Sequence, residues 1–247
     1  MSWTMPLLAA LLIGVTLGLF GSGGSILTVP VLIFLLDMPE KLAISTALGV
    51  VALISFGAVL PYIWRRQVAG RLLAQLALPG MLGASFGGYV SQWMPVLLQL
   101  VLLAVLMLLS SVNMWRSEPW KLQHLQSWQV MLVGTLLGVI TGLVGVGGGF
   151  LLVPLLLAIS NLASQRVVAT SLALVFLQSS SGFFSLWLSQ PQLRPDLWLV
   201  GSFGLVGVLG SLLGLLLLQH LPQQLFRRAF ALFLPVLAVS LVLQHWR

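Results

Sequence analysis

Two apolar segments of this chain are too long to cross a membrane straight, and both are broken by contiguous glycines. Residues 5–36 contain "GLFGSGGSILTVP" (18–30), and residues 128–159 contain "GLVGVGGGFLLVP" (142–154). Each segment has 32 residues and as one helix would run about 48 Å, against a hydrocarbon core of about 30 Å. Runs such as Gly23-Gly24 and Gly147-Gly148-Gly149 lower helix propensity by about 1 kcal/mol per residue. Lipid has no water to satisfy a broken backbone, so such breaks survive only where protein or a wet cavity surrounds them.

The setting is a membrane. Of 247 residues, 59% are hydrophobic and 6% charged, too few charges to cover a soluble surface. The remaining apolar segments run over about 42–63, 72–91, 95–115, 167–188, 197–219 and 223–245, near the length of a span. Trp64, Trp93, Trp115, Trp120, Trp128, Trp187 and Trp198 fall at their edges, as interfacial aromatics do. The predicted class is an all-α polytopic membrane protein embedded in the lipid bilayer. The N-terminus lacks a basic n-region and a cleavage signal and reads as a retained first segment. A net charge of +7 does not point to nucleic acid here, because the basic residues stand singly or in pairs between apolar segments. They also suit an electropositive vestibule for anions.

The chain is read as a duplication. Moved along itself by 124 positions, Gly18, Gly21, Gly23, Gly24 and Pro30 meet Gly142, Gly145, Gly147, Gly148 and Pro154. Thr46, Leu48 and Ser55 meet Thr170, Leu172 and Ser179. After residues 64–71 the offset becomes 127, and Gly80, Gly83, Gly87 and Pro95 meet Gly207, Gly210, Gly214 and Pro222. The expected organisation is a repeat over 1–115, a polar loop over 116–127 and a second repeat over 128–247. If all eight segments span, the basic residues divide 7 to 4 between the two sides; if the broken segments fold back as hairpins, they divide 8 to 3. The second division is the more asymmetric, leaves three spans per half and makes the repeats inverted.

Several chemistries are excluded for the breaks. No lysine follows as a phosphate loop requires, and no soluble βαβ unit surrounds them. His124, His220 and His245 lie at loops or segment ends, so no base sits at depth beside Ser22 or Ser25 and an enzyme is not expected. Packing through small residues suits the stripes Gly80-Gly83-Gly87 and Gly207-Gly210-Gly214, within one protomer or between two, which leaves a homodimer open. At the breaks, a restarted helix offers N–H groups and partial positive charge, an anion site that glycine leaves unshielded. Candidate lining is Gly21, Ser22, Gly23, Gly24, Ser25, Gly145, Gly147, Gly148 and Gly149. Hydroxyls at Ser45, Thr46, Thr170 and Ser171 join them, each equally suited to bonding back to its own helix. Gln178 and Ser179, in an unusually polar mid-segment run, complete the set. Asp37, Glu40, Glu118 and Asp196 all lie at loops, so no buried carboxylate marks a cation carrier. Neither metal nor other cofactor is expected, and proton coupling would have to use the substrate or an edge group.

The paired "GLFGSGG…P" and "GLVGVGGG…P", each followed by "STAL" or "ATSLAL" about twenty residues on, resemble the sulfite exporter TauE/SafE family over nearly the whole chain. The resemblance implies an inner-membrane permease for a small sulfur-containing anion: sulfite, thiosulfate, sulfoacetate or another organosulfonate. A passive anion channel and a non-transporting partner subunit are the alternatives.

Overall fold

The computed structural model describes residues 4–20, 25–115, 126–160, 162–217, 231–232 and 234–241. These residues form helices joined by short turns, with no strand among them. The first broken segment is α1 (Thr4–Phe20) and α2 (Thr28–Leu36), with one 3₁₀ turn over residues 25–27 leading into α2. Gly21, Ser22, Gly23 and Gly24 lie outside the described residues. Then come α3 (Glu40–Trp64), α4 (Gly70–Val90) and α5 (Val96–Trp115). The second broken segment is α6 (Ser127–Val144) and α7 (Gly149–Ile159), followed by α8 (Ser164–Ser189) and α9 (Leu197–Leu217). Residues 231–232 and 234–241 are also helical; the rest of the expected last segment, and most of the loop 116–127, lie outside the described residues. By length and composition α3, α6, α8 and α9 can each cross a membrane. Trp64, Trp93, Trp128 and Trp198 are well exposed near helix ends, as membrane-interface rings are.

Helix directions follow from who touches whom. Gly83 and Gly87 of α4 lie against Thr135 O and Val139 O of α6, so these helices run parallel. Ser185 Oγ donates to Ser85 O and Ser181 Oγ to Met81 O, so α8 runs parallel to α4 as well. α6 and α8 therefore share one direction, and the chain folds back through α7 between them. On the other side, Gly210 and Gly214 of α9 lie against Leu11 O and Val15 O of α1, and Gly57 and Leu53 of α3 meet Val208 and Gly204. α1, α3 and α9 are thus parallel, and α2 is the returning arm. Between the two groups, Leu48 faces Gly182 and Phe56 stacks near Phe176 at 5.1 Å, so α3 and α8 cross antiparallel. Both glycine stripes are used inside the protomer: a Cβ on Gly83, Gly87, Gly210 or Gly214 would strike a facing backbone carbonyl, and one on Gly80 or Gly207 the side chain of Gln178 or Ile54.

The described basic residues divide by this folding. Arg65, Arg66, Arg71 and Arg166 lie where α3 ends and α4 and α8 begin; Lys41 and Arg194 lie at the opposite end. Arg166 joins Arg65 and Arg71 because α7 returns the chain, which is the division that folded-back segments give.

Candidate functional site

The second break is a left-handed turn built from glycine. Gly145, Gly147 and Gly148 have φ of 76°, 69° and 59°, a region where an L side chain costs about 1–2 kcal/mol. Gly145 ends α6, its N–H donating to Thr141 O at 2.9 Å, and it lies against the backbone of Ile44 in α3. Gly148 opens α7: its carbonyl accepts from the N–H groups of Leu151 at 3.0 Å and Leu152 at 3.1 Å. Both Gly147 and Gly148 are buried, and among the described residues the N–H of neither donates a hydrogen bond. Orphaned buried N–H groups are rare because each loses water without a replacement.

Side chains around the turn repeat this pattern. A Cβ on Gly147 would lie 2.7 Å from Val51 Cγ1, 3.0 Å from Ser179 Oγ and 3.2 Å from Val175 Cγ1. Val51 and Val175 stand 124 residues apart, as do Ser55 and Ser179. The turn therefore rests on the crossing of α3 and α8, at positions that the expected duplication would make equivalent. Ser55 and Ser179 are fully buried, and the Oγ of each lacks a hydrogen-bond partner. Gln178 is also fully buried. Its Oε1 accepts from Thr141 Oγ1 at 3.4 Å on the Gly148 side, while its Nε2 lies unpartnered against Gly80. Near the first break, Ser25 and Thr28 are fully buried and Thr28 Oγ1 has no partner. Sequence reasoning aligned Ser55 with Ser179 but did not place it in the site, and it passed over Thr28 and Thr141. Their signal was a hydroxyl on an apolar helix close to a break.

The other hydroxyls are placed differently. Thr46 Oγ1 bonds back to Leu42 O at 2.8 Å and lies 3.4 Å from Met38 Sδ. Ser171 Oγ bonds back to Val168 O at 2.9 Å. Thr170 Oγ1 donates to Arg166 O at 2.7 Å and accepts the N–H of Ala69 at 3.0 Å, tying the α3–α4 turn to α8. Ser45 is buried with its Oγ unpartnered, next to the Ile44 backbone that Gly145 contacts. The structure thus brings Gly145, Gly147, Gly148, Gln178 and Ser179 together, with Gly149 as the first residue of α7, and sets Thr170 and Ser171 toward the arginine-bearing end.

Chemically, this is a small set of neutral donors around a helix start. It suits an anion and, among the described residues, holds no nucleophile–base pair.

Comparison with known proteins identifies the family of the chain. The family model described as "Sulfite exporter TauE/SafE" matches residues 6–241. A "Probable membrane transporter protein" of Xylella fastidiosa (strain Temecula1) is 29% identical over 248 residues, covering 95% of this chain and 93% of that one. A protein of the same description from Haemophilus influenzae is 29% identical over 263 residues, covering 96% and 97%. "Probable membrane transporter protein YunE" of Bacillus subtilis is 25% identical over 240 residues, covering 83% and 88%. The chain belongs to the sulfite exporter TauE/SafE family and is a multi-pass transporter of the cell membrane.

Proposed function

We propose that the chain is a secondary transporter of a small sulfur-containing anion such as sulfite, thiosulfate or an organosulfonate. The anion is held at the two glycine breaks and released by alternating access about them. One observation supports the reading: buried donors that have no partner among the described residues meet at the second break. They are the N–H groups of Gly147 and Gly148 and the hydroxyl of Ser179. A half-turn of the Gln178 amide would bring its Nε2 to the break side as a further donor. Gly149, as the first residue of α7, puts the positive end of that helix at the same place.

Under this proposal the first break, Gly21 to Ser25, supplies the matching half; of that segment, Ser25 and the neighbouring Thr28 are fully buried. Inverted repeats are part of the proposal. In support, α3 and α8 occupy equivalent places in the duplication and cross antiparallel, and the contact of α1 with α9 corresponds to that of α6 with α4. Such an arrangement puts a site near the midplane, between two helix starts. By the positive-inside rule, the end bearing Arg65, Arg66, Arg71 and Arg166 faces the cytoplasm.

The test is uptake of ³⁵S-thiosulfate and ³⁵S-sulfite into proteoliposomes by wild type, Gly147→Leu and Ser179→Ala. Saturable flux that Gly147→Leu abolishes supports the carrier. Undiminished flux in Gly147→Leu sinks it, and single-channel current in planar bilayers would replace it with a passive channel.

A further inference from the structure

The arginine-bearing end holds a second feature that the glycine breaks do not use. A cleft of about 560 Å³ opens there between α4, α6 and the α7–α8 turn. Its polar lining is Arg71, Gln75, Ser127, Ser160 and Arg166; the remainder is mostly apolar. Both arginines are exposed, and among the described residues neither makes an ion pair or a hydrogen bond through its guanidinium. The cations of the opposite end are tied down by contrast. Lys41 Nζ donates to Gln92 O at 2.9 Å, and Arg194 Nε donates to Trp187 O at 3.1 Å with its guanidinium 5.3 Å from that ring.

Among the described residues the carboxylates are distant from the cleft. Asp37, Glu40 and Asp196 belong to the opposite end, at the starts of α3 and α9, and Glu118 lies outside the described residues. Backbone charge also favours an anion. α4, α6 and α8 all begin at this end, with partial positive charge at Gly70, Ser127 and Ser164. α7 ends here, but the N–H and Oγ of Ser160 both donate to Leu156 O, which takes up one of its open carbonyls.

We propose that this cleft is an anion site separate from the glycine break, in which Arg71 and Arg166 together hold an oxyanion group bearing two or more charged oxygens. Planar guanidinium forks match such a group bidentately. The same chemistry is presented by a free sulfate or thiosulfate and by the phosphate of an anionic lipid. The cleft is wide enough for either, and its apolar wall suits the glycerol and upper acyl carbons of a lipid. The site does not depend on the transport reading, because it stands on residues that reading does not use.

The test is equilibrium binding of ³⁵S-sulfate to the full-length protein in neutral detergent at low and high salt. Wild type, Arg71→Gln/Arg166→Gln, Arg71→Lys/Arg166→Lys and Gly147→Leu are compared. The expected result is a salt-sensitive component weakened at least tenfold in the Gln pair, partly kept in the Lys pair and intact in Gly147→Leu. Lipid discs of phosphatidylcholine, with and without phosphatidylglycerol, separate the sources. Suppression of the arginine-dependent sulfate binding by phosphatidylglycerol names the lipid phosphate; unchanged binding names the free anion. Equal sulfate binding and equal phosphatidylglycerol retention in wild type and the Gln pair overturn the proposal. Loss of flux in Gly147→Leu with arginine-dependent binding kept, or the reverse, tells the two sites apart.

Discussion

Replacing Ser179 by alanine should separate ligand binding from folding, because the two effects carry opposite signs. The Ser179 side chain is fully buried and its hydroxyl has no partner. An unpaired buried hydroxyl holds a desolvation penalty of about 1–3 kcal/mol, which alanine removes. The void left is one oxygen atom, smaller than the methyl-sized cavity that costs about 1 kcal/mol. The ligand-free protein should therefore melt at the same temperature as wild type or higher. In the loaded state of the proposed site the hydroxyl would donate to a charged ligand, an interaction worth about 1.5–3 kcal/mol. At about 1.4 kcal/mol per factor of ten, its loss weakens the anion roughly 10- to 150-fold. Thermal melting of the purified protein, with and without thiosulfate, reads both numbers in one experiment. A melting temperature that falls without ligand, together with an unchanged thiosulfate shift, would mean that Ser179 is a structural residue. The reasoning from unpartnered donors would then fail.

Thr170→Val should behave in the opposite way. It leaves the Ala69 N–H without its acceptor, so about 1–3 kcal/mol of stability should go while thiosulfate KM stays within a factor of two. Gly148→Ala forces a φ of 59° on alanine and drives its Cβ into Thr141 Oγ1, so a loss of about 2–4 kcal/mol is expected. Thr141→Ala in the same chain should recover part of that melting temperature by removing the obstructing oxygen. Gly83→Ala pushes α4 off Thr135 O and should lose about 1–3 kcal/mol. Gly70→Ala meets nothing within 4 Å and should be neutral or stabilising by about 0.4–1 kcal/mol, as detergent melting curves will show.

The breaks were legible because contiguous glycines in an apolar run have few other uses. The second appears where expected, with α6 ending at Val144 and α7 beginning at Gly149. The stripes were legible too, but not their partners: sequence spacing left open whether Gly83 and Gly87 faced another protomer, and α6 covers them. The hydroxyls were the least legible. Back-bonding at Thr46 and Ser171 is a local option that any such residue has, whereas the role of Thr170 depends on Ala69, 101 positions away. Ser55 entered the reading only as a marker of the repeat. Its burial without a partner depends on α3 crossing α8 at the level of the break, and no periodicity in either helix states that crossing.

The distribution of charge fits what the proposed anion carrier would have to do with its substrate at depth. A guanidinium at the bilayer centre costs about 2.5–3.5 kcal/mol on insertion scales, and in a low dielectric it would hold an anion too tightly to release it. A helix start presents only about half a positive charge, and hydroxyl and amide donors add dipoles without adding net charge. Such a site binds moderately, and a rearrangement that draws one helix start away from the other removes much of the attraction. Strong attraction is then best placed at the ends, where water screens it and where it raises the local anion concentration without trapping. Arg71 and Arg166, unpaired among the described residues, occupy such a place, and the break at Gly145–Gly148 has neutral donors beside it. A charged end feeding a neutral middle requires a backbone that opens inside the membrane. Two glycine breaks at equivalent places in the chain meet that requirement without placing an ionisable group at depth.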